Sequence, residues 1–173
     1  MIYFTSDTHF YHTNIIVYCN RPFENVFEMN NAIIERWNAI VNSDDTVYHL
    51  GDFAFGKYYR ISSTLEQLNG SVHLIRGNHD RSVSAMKRAG FADVYNSLSL
   101  ELDGTKLFMS HKPLTDAPHL KEQIDKASIH LCGHVHTRWL RHGKTINVGV
   151  DKWDFRPRAL DELLAACDEE LIV

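Results

Sequence analysis

Five short apolar runs, each ending within a few residues in groups able to bind metal, constrain this chain more than any other feature. The run "IYF" at 2–4 leads to Asp7 and His9, "VYHL" at 47–50 to Asp52, and "VHLI" at 72–75 to Asn78, His79 and Asp80. "KLFM" at 106–109 leads to His111, and "IHLC" at 129–132 to His134 and His136. Runs of this length and composition read as buried strands. Ligands of α/β sheets bind beyond the carboxyl ends of strands, so five strand ends carrying such residues can converge on one site. In "HLIRGNHD", a turn after Ile75 would accept Gly77 and Asn78, but turn chemistry has no use for the imidazole of His79 between polar neighbours.

Helices follow from period. Val26, Met29, Ile33, Trp37 and Ile40 form one apolar stripe, with Asn25 and Glu28 placed for a capping box. Ile61, Leu65 and Leu68 form another, with Gly70 as its expected stop. Residues 81–89 read as a short helix before Gly90, capped by Asp80, and Leu160, Leu163, Leu164 and Cys167 as a last amphipathic one. Leu98, Leu100 and Leu102 alternate with polar residues before Asp103-Gly104, a tight hairpin signal. A second hairpin is expected at His142-Gly143, with Ile146, Val148 and Val150 alternating after it. The segments 10–25 and 112–126 read as polar loops. No repeat, low-complexity tract or linker divides the chain, and its 173 residues fit one domain spanning 1–173.

Composition narrows the function classes. At 44% hydrophobic, 23% charged and net charge -4, the chain is not a generic nucleic-acid sponge or a binder of anionic membranes. Any phosphate it meets must be held locally. Cys19, Cys132 and Cys167 make no close pair and suit reduced packing thiols. The start, "MIYFTSDTHF", lacks a basic region followed by an apolar run, and no run approaches the ~20 residues of a membrane span. A cytoplasmic location is expected.

Imidazole nitrogen mixed with carboxylate and amide oxygen suits divalent ions of intermediate hardness, manganese first and iron, zinc, nickel or cobalt as alternatives. Cys132 is the only sulfur near these motifs. Gly51, Gly77 and Gly133 directly precede ligand positions, where a residue without Cβ lets the backbone turn sharply. Seven candidate ligands are too many for one tetrahedral ion and fit two ions sharing a bridge, which can acidify water and clamp the oxygens of an in-line displacement. Two divalent cations, two carboxylates and one hydroxide leave about one positive charge, suited to an anionic phosphate ester.

At this point the chain resembles the calcineurin-like metallophosphoesterases, whose ordered elements stand here as "DTH" at 7–9, "GD" at 51–52, "GNHD" at 77–80, His111, and "GHVH" at 133–136. The resemblance implies two mixed β-sheets packed face to face with helices outside, and a compact member of bacterial or phage type. It implies that Asp7, His9 and His136 hold one metal, that Asn78, His111 and His134 hold the other, and that Asp52 bridges them. A bridging hydroxide would then attack a phosphodiester or phosphomonoester, His79 would assist the leaving group, and Arg76 would contact phosphate. The sequence "GDFAFG" at 51–56 departs from the pattern of the protein serine/threonine phosphatases, so that activity is not expected.

Plainer readings apply elsewhere. His49, His73, His119, His130 and His142 are assigned to core or surface, and Asn147, Gly149 and Asp151 to structural roles. His12 either lines the rim or caps the following turn. The aromatic residues near the motif loops, Tyr18, Phe53, Phe55, Trp139 and Trp153 among them, are more often packing than stacking platforms, and tilt the expected substrate only slightly toward nucleotides. Nucleic acid enters only as a substrate. The alternative function is a catalytically silent interaction scaffold on the same fold.

Overall fold

A computed structural model describes the backbone of residues 1–169 and the side chains of 1–166, so the expected packing of Cys167 lies outside the described residues. In chain order the elements are β1 (Ile2–Thr5), α1 (Thr13–Tyr18), α2 (Val26–Asn38), β2 (Thr46–His49), α3 (Tyr58–Leu65), β3 (Ser71–Ile75), α4 (Val83–Ala89) and β4 (Asp93–Tyr95). These are followed by β5 (Ser97–Leu102), β6 (Thr105–Ser110), α5 (Lys121–Lys126), β7 (Ile129–Cys132), β8 (Arg141–His142), β9 (Thr145–Asn147), β10 (Arg158–Ala159) and α6 (Leu160–Glu169).

The strands build two mixed five-stranded sheets, ordered β10-β1-β2-β3-β4 and β5-β6-β7-β9-β8. In the first, β1 to β4 run parallel and β10 joins antiparallel. In the second, β6, β7 and β9 run parallel between antiparallel edge strands. Period-2 alternation divides the core between two layers. Val47, Val72 and Leu74 face one way and meet Met29, Ile33, Trp37, Ile61 and Met86 on the helices. Phe4 and Ile75 face the other way and meet Leu107, Met109, Leu131 and Ile146 of the second sheet. The two-sheet sandwich expected from the sequence is the fold observed. Its parallel strands end on a common edge, and the loops leaving that edge carry the candidate ligands.

Local chemistry explains where elements start and stop. The Asn25 side chain accepts the N–H groups of Phe27 and Glu28, while Glu28 reaches back to the N–H of Glu24, one residue beyond the expected capping box. The hairpin at Asp103-Gly104 has φ of 49° and 77°, as a two-residue turn of this type requires. The second hairpin turns one residue later than expected, because His142 already pairs with Thr145. Gly70 does not stop α3, which ends at Leu65; it sits five residues on, with φ +88°, before β3. Asp80 is not a helix cap either: Ser82 caps α4 by accepting the N–H of Ala85. The two segments read as loops contain α1 and α5, each only six residues long and too short to show a period.

Candidate metal centre

The loop after β1 pairs with the loop after β2, the N–H groups of Asp7 and His9 donating to the carbonyls of Gly51 and Asp52 at 3.0 Å each. The loop after β7 is tied to the end of β6, where the N–H of Gly133 donates to the carbonyl of His111 at 3.0 Å. Five of the seven candidate ligands adopt left-handed backbone: Asp7 (φ 56°), His9 (50°), Asp52 (56°), His134 (70°) and His136 (47°). Such conformations cost free energy in residues other than glycine and cluster where surrounding structure imposes a geometry for function.

Each carboxylate is held by one oxygen and open at the other. Asp7 Oδ2 accepts the N–H of His134 at 2.9 Å, while Asp7 Oδ1 is buried with no hydrogen-bond partner. Asp52 Oδ1 accepts the N–H of His79 at 2.9 Å. Asp52 Oδ2 faces the Nε2 atoms of His111 at 3.4 Å, His9 at 3.6 Å and His79 at 3.9 Å.

Three imidazoles follow the same logic. His111 Nδ1 donates to the carbonyl of Leu50 at 2.7 Å, and His136 Nδ1 donates to Asp151 at 2.9 Å. His9 Nδ1 lies 3.3 Å from His12 Nδ1. With Nδ1 engaged, the lone pair of Nε2 is left for a ligand. His9 Nε2 is buried without a partner, and His136 Nε2 is 4.0 Å from Asp7 Oδ1. Asn78 Oδ1 lies 3.1 Å from His111 Nε2, and the His134 and His111 rings are 5.1 Å apart. Asp7, His9 and His136 present ligand atoms close enough to share one ion, as do Asp7, Asp52 and His111. Two orphaned buried atoms within a ring of nitrogen and oxygen donors fit divalent cations of intermediate hardness.

Proton affinities report the same demand for positive charge. Burial works against charge on His111 and His136, yet the Asp52 carboxylate lifts His111 to about 9 and Asp151 lifts His136 to about 10. Burial also works against the Asp52 carboxylate, but hydrogen bonding and charge from His111 hold it below the usual range. Burial raises Asp7 and lowers His9, the latter to about 2.

Several residues differ from their sequence-based roles. Asp80 braces the site: its carboxylate accepts the N–H groups of Asp52 and Gly77 at 2.8 Å each and of Phe53 at 3.0 Å. Asp151, read as structural, orients His136 and pairs with the buried Arg21 through contacts of 2.8 and 3.0 Å. Arg21 also donates to the carbonyls of Asp7 and Thr8, and nothing in the local sequence marked it. The sulfur at the site belongs to Cys19, which lines the cleft beside His136, and not to the buried Cys132. Gly51 does use a positive φ, but Gly77 and Gly133 are required by close approach. A Cβ on Gly133 would lie 2.0 Å from Ser6 Oγ, and one on Gly77 2.2 Å from Asp52 Oδ1. His12 makes no side-chain cap and stacks on Phe55 at 3.9 Å, so it lines the rim. Arg76 lines a small pocket with Asn78 and His111, its Nε donating to Asn96 at 3.3 Å. His49 and His130 are core histidines bonded to Thr8 and to Ser110 and Thr145. No helix among the described residues is long and apolar enough to cross a membrane.

Comparison with known proteins agrees with this geometry. A model of the calcineurin-like phosphoesterase superfamily domain matches residues 1–152. An uncharacterized protein of Methanocaldococcus jannaschii is 37% identical, over 99% of this chain and 94% of its own length. The gene 66 protein of Mycobacterium phage L5 is 27% identical, over 87% and 86%. Among solved structures, a protein of unknown function from Aquifex aeolicus superposes with a TM-score of 0.78 at 29% identity, covering 96% of this chain and 98% of that one. An archaeal phosphodiesterase has the same fold, with a TM-score of 0.55 at 21% identity over 88% and 86% of the two chains. The matched signature, the sandwich and the ring of strand-end donors lead to one conclusion: this chain belongs to the calcineurin-like phosphoesterase superfamily.

Proposed function

We infer that the protein hydrolyses a phosphate ester with the help of two divalent cations. Asp7, His9 and His136 would hold one, Asn78, His111 and His134 the other, with Asp52 shared between them. Manganese fits this mixed set of imidazole, carboxylate and amide donors, and iron, zinc, nickel and cobalt also fit it. When bound, such cations supply Lewis acidity toward phosphoryl oxygen and acidify water. The observation that carries the reading is the convergence of Asp7 Oδ1 and His9 Nε2, both buried and unpartnered, with Asp52 Oδ2.

The remaining groups act on the substrate. The His79 side chain is 47% exposed at the cleft, and its backbone N–H is anchored on Asp52, which leaves the ring free to hold a proton for the departing alkoxide. Arg76, on the opposite flank, presents a planar donor fork to phosphate oxygens. Arg21 and Asp151 fix the His136 tautomer, and Asp80 fixes the loop carrying Asp52.

The test is metal content and turnover together. Protein loaded with manganese is expected to carry about two ions per chain and to cleave bis-p-nitrophenyl phosphate or p-nitrophenyl phosphate. Asp52→Asn is expected to lose both metal and turnover. Full occupancy without turnover, with manganese, nickel or cobalt, would favour the silent scaffold.

A further inference from the structure

The candidate ligand ring is open on two sides, and the two openings differ in chemistry. On one side lies a cleft of about 450 Å³ lined by His9, His79 and His136 together with Phe55, His12 and Tyr18. On the other lies a pocket of about 280 Å³ lined by Asn78 and His111 together with Arg76, Lys112 and His119. One atom links them: Asp52 Oδ2 is 3.6 Å from His9 Nε2 in the first lining and 3.4 Å from His111 Nε2 in the second.

The larger cleft has a continuous aromatic wall that starts at the reacting centre. The His79 ring lies 5.0 Å from Phe55, Phe55 stacks on His12 at 3.9 Å, and His12 meets the edge of Tyr18 at 6.2 Å. Tyr18 is 71% exposed, so this row of rings ends in solvent with an open face. Flat π surfaces of this kind bind nucleobases with little dependence on which base is present. The smaller pocket is basic, and among the described residues neither Arg76 nor Lys112 is engaged in an ion pair. A guanidinium bonded, among the described residues, only through Nε to Asn96 and an ammonium without an ion pair, both beside the ring, fit a second anionic group.

Building on the phosphoesterase reading, we propose that the substrate is a short single-stranded oligonucleotide that crosses the ring from one opening to the other. The nucleoside on the His79 side is the leaving group, its base lying along Phe55, His12 and Tyr18. The neighbouring phosphate sits with Arg76 and Lys112. Hydrolysis breaks the P–O bond to that nucleoside, water supplies the new oxygen on phosphorus, and the departing oxygen takes its proton from His79. A monoester would occupy only one opening and leave the other without a use.

The experiment compares three substrates on the manganese-loaded full chain: a short oligothymidylate, the same strand carrying abasic residues, and bis-p-nitrophenyl phosphate. The expected result is about a tenfold lower kcat/KM for the abasic strand, expressed mainly in KM. Tyr18→Ala and Phe55→Leu are expected to abolish that difference; Tyr18 is exposed, so its variant keeps the test valid if Phe55→Leu misfolds. Lys112→Ala is expected to lower the ratio of oligothymidylate to bis-p-nitrophenyl phosphate turnover and to flatten the log-log salt dependence by about 0.7. Turnover of bis-p-nitrophenyl phosphate with indifference to bases and to Lys112 overturns this proposal alone. Turnover of p-nitrophenyl phosphate alone likewise overturns only this proposal, whereas no turnover of any of the three or of p-nitrophenyl phosphate overturns the phosphoesterase reading and this proposal with it.

Discussion

Asp80 holds Asp52 in position without touching its side chain: one carboxylate oxygen of Asp80 accepts the backbone N–H of Asp52, and the same oxygen accepts that of Gly77, each at 2.8 Å. The loops after β2 and β3 are thereby clamped on one buried anion. Asp80→Asn replaces an acceptor-only group with one that must present an NH2 to N–H donors. The expected cost is ~1–3 kcal/mol of stability and a 10- to 100-fold weaker hold on manganese, read from urea unfolding and chelator competition. Unchanged metal affinity would show that the clamp is structural only.

His79→Ala is expected to keep full metal content and to lose ~10²–10⁴ in rate on alkyl esters, with a smaller loss on p-nitrophenyl esters, whose leaving group needs no proton. Metal analysis beside kcat on both ester types checks this. A full rate on an alkyl ester would remove His79 from the acid role.

Gly133 and Gly104 separate crowding from backbone strain. A Cβ at Gly133 meets Ser6 Oγ at 2.0 Å and Asp7 Oδ2 at 2.4 Å, so Gly133→Ala is expected to displace Asp7, empty the centre of manganese and destabilise the fold by at least ~1–3 kcal/mol. Gly104, at φ +77° with nothing within 4 Å, is expected to cost only the ~1–2 kcal/mol of left-handed backbone on changing to Ala, with metal content intact. Thermal unfolding and metal content of the two variants, side by side, decide the matter.

Arg21→Ala leaves the buried Asp151 carboxylate with His136 as its partner and no guanidinium. Breaking a buried pair by removing one partner costs ~3–5 kcal/mol, and an Asp151 no longer anchored by Arg21 is expected to hold His136 less firmly and to weaken metal binding as well. Urea unfolding midpoints at fixed manganese concentration, with and without chelator, resolve the two effects. Equal losses under both conditions would uncouple the pair from the site.

His130 sets a pH dependence away from the ligand ring. Burial between Ser110 and Thr145 lowers it to about 4, against 6.5 for the free side chain. A depressed histidine binds fewer protons folded than unfolded, so its contribution is complete above pH 6.5 and is lost as pH falls from 6.5 toward 4. The expected slope attributable to this group approaches ~1.4 kcal/mol per pH unit within that window. His130→Gln should flatten the unfolding free energy against pH there; an unaltered slope would exclude the assignment.

The fold and the convergence of the candidate ligands were legible in the sequence for one physical reason. Residue types able to bind metal are chemically distinctive, and strand runs such as "VHLI" at 72–75 place them at strand ends whatever the detailed packing. What escaped was relational. Arg21 and Asp151 are 130 residues apart and acquire a role only as a pair. Asp80 stands where a helix cap and a loop clamp require the same residue, and only the positions of the acceptor atoms distinguish them. Cys19 stands at the C-terminal cap of α1, a helix of six residues too short for its apolar spacing to reveal it. β4 and β10, at three and two residues, are fixed by their neighbours and carry no pattern of their own.

The division of candidate donors between the layers has a consequence for the proposed metal centre. The first sheet contributes Asp7, Asp52 and Asn78, all the candidate oxygen donors, with His9; the second contributes only the imidazoles of His111, His134 and His136. Neither half carries the whole donor set, so on the two-cation reading a partly assembled chain would lack the complete site. Bound metal would then bridge the two layers and hold one against the other.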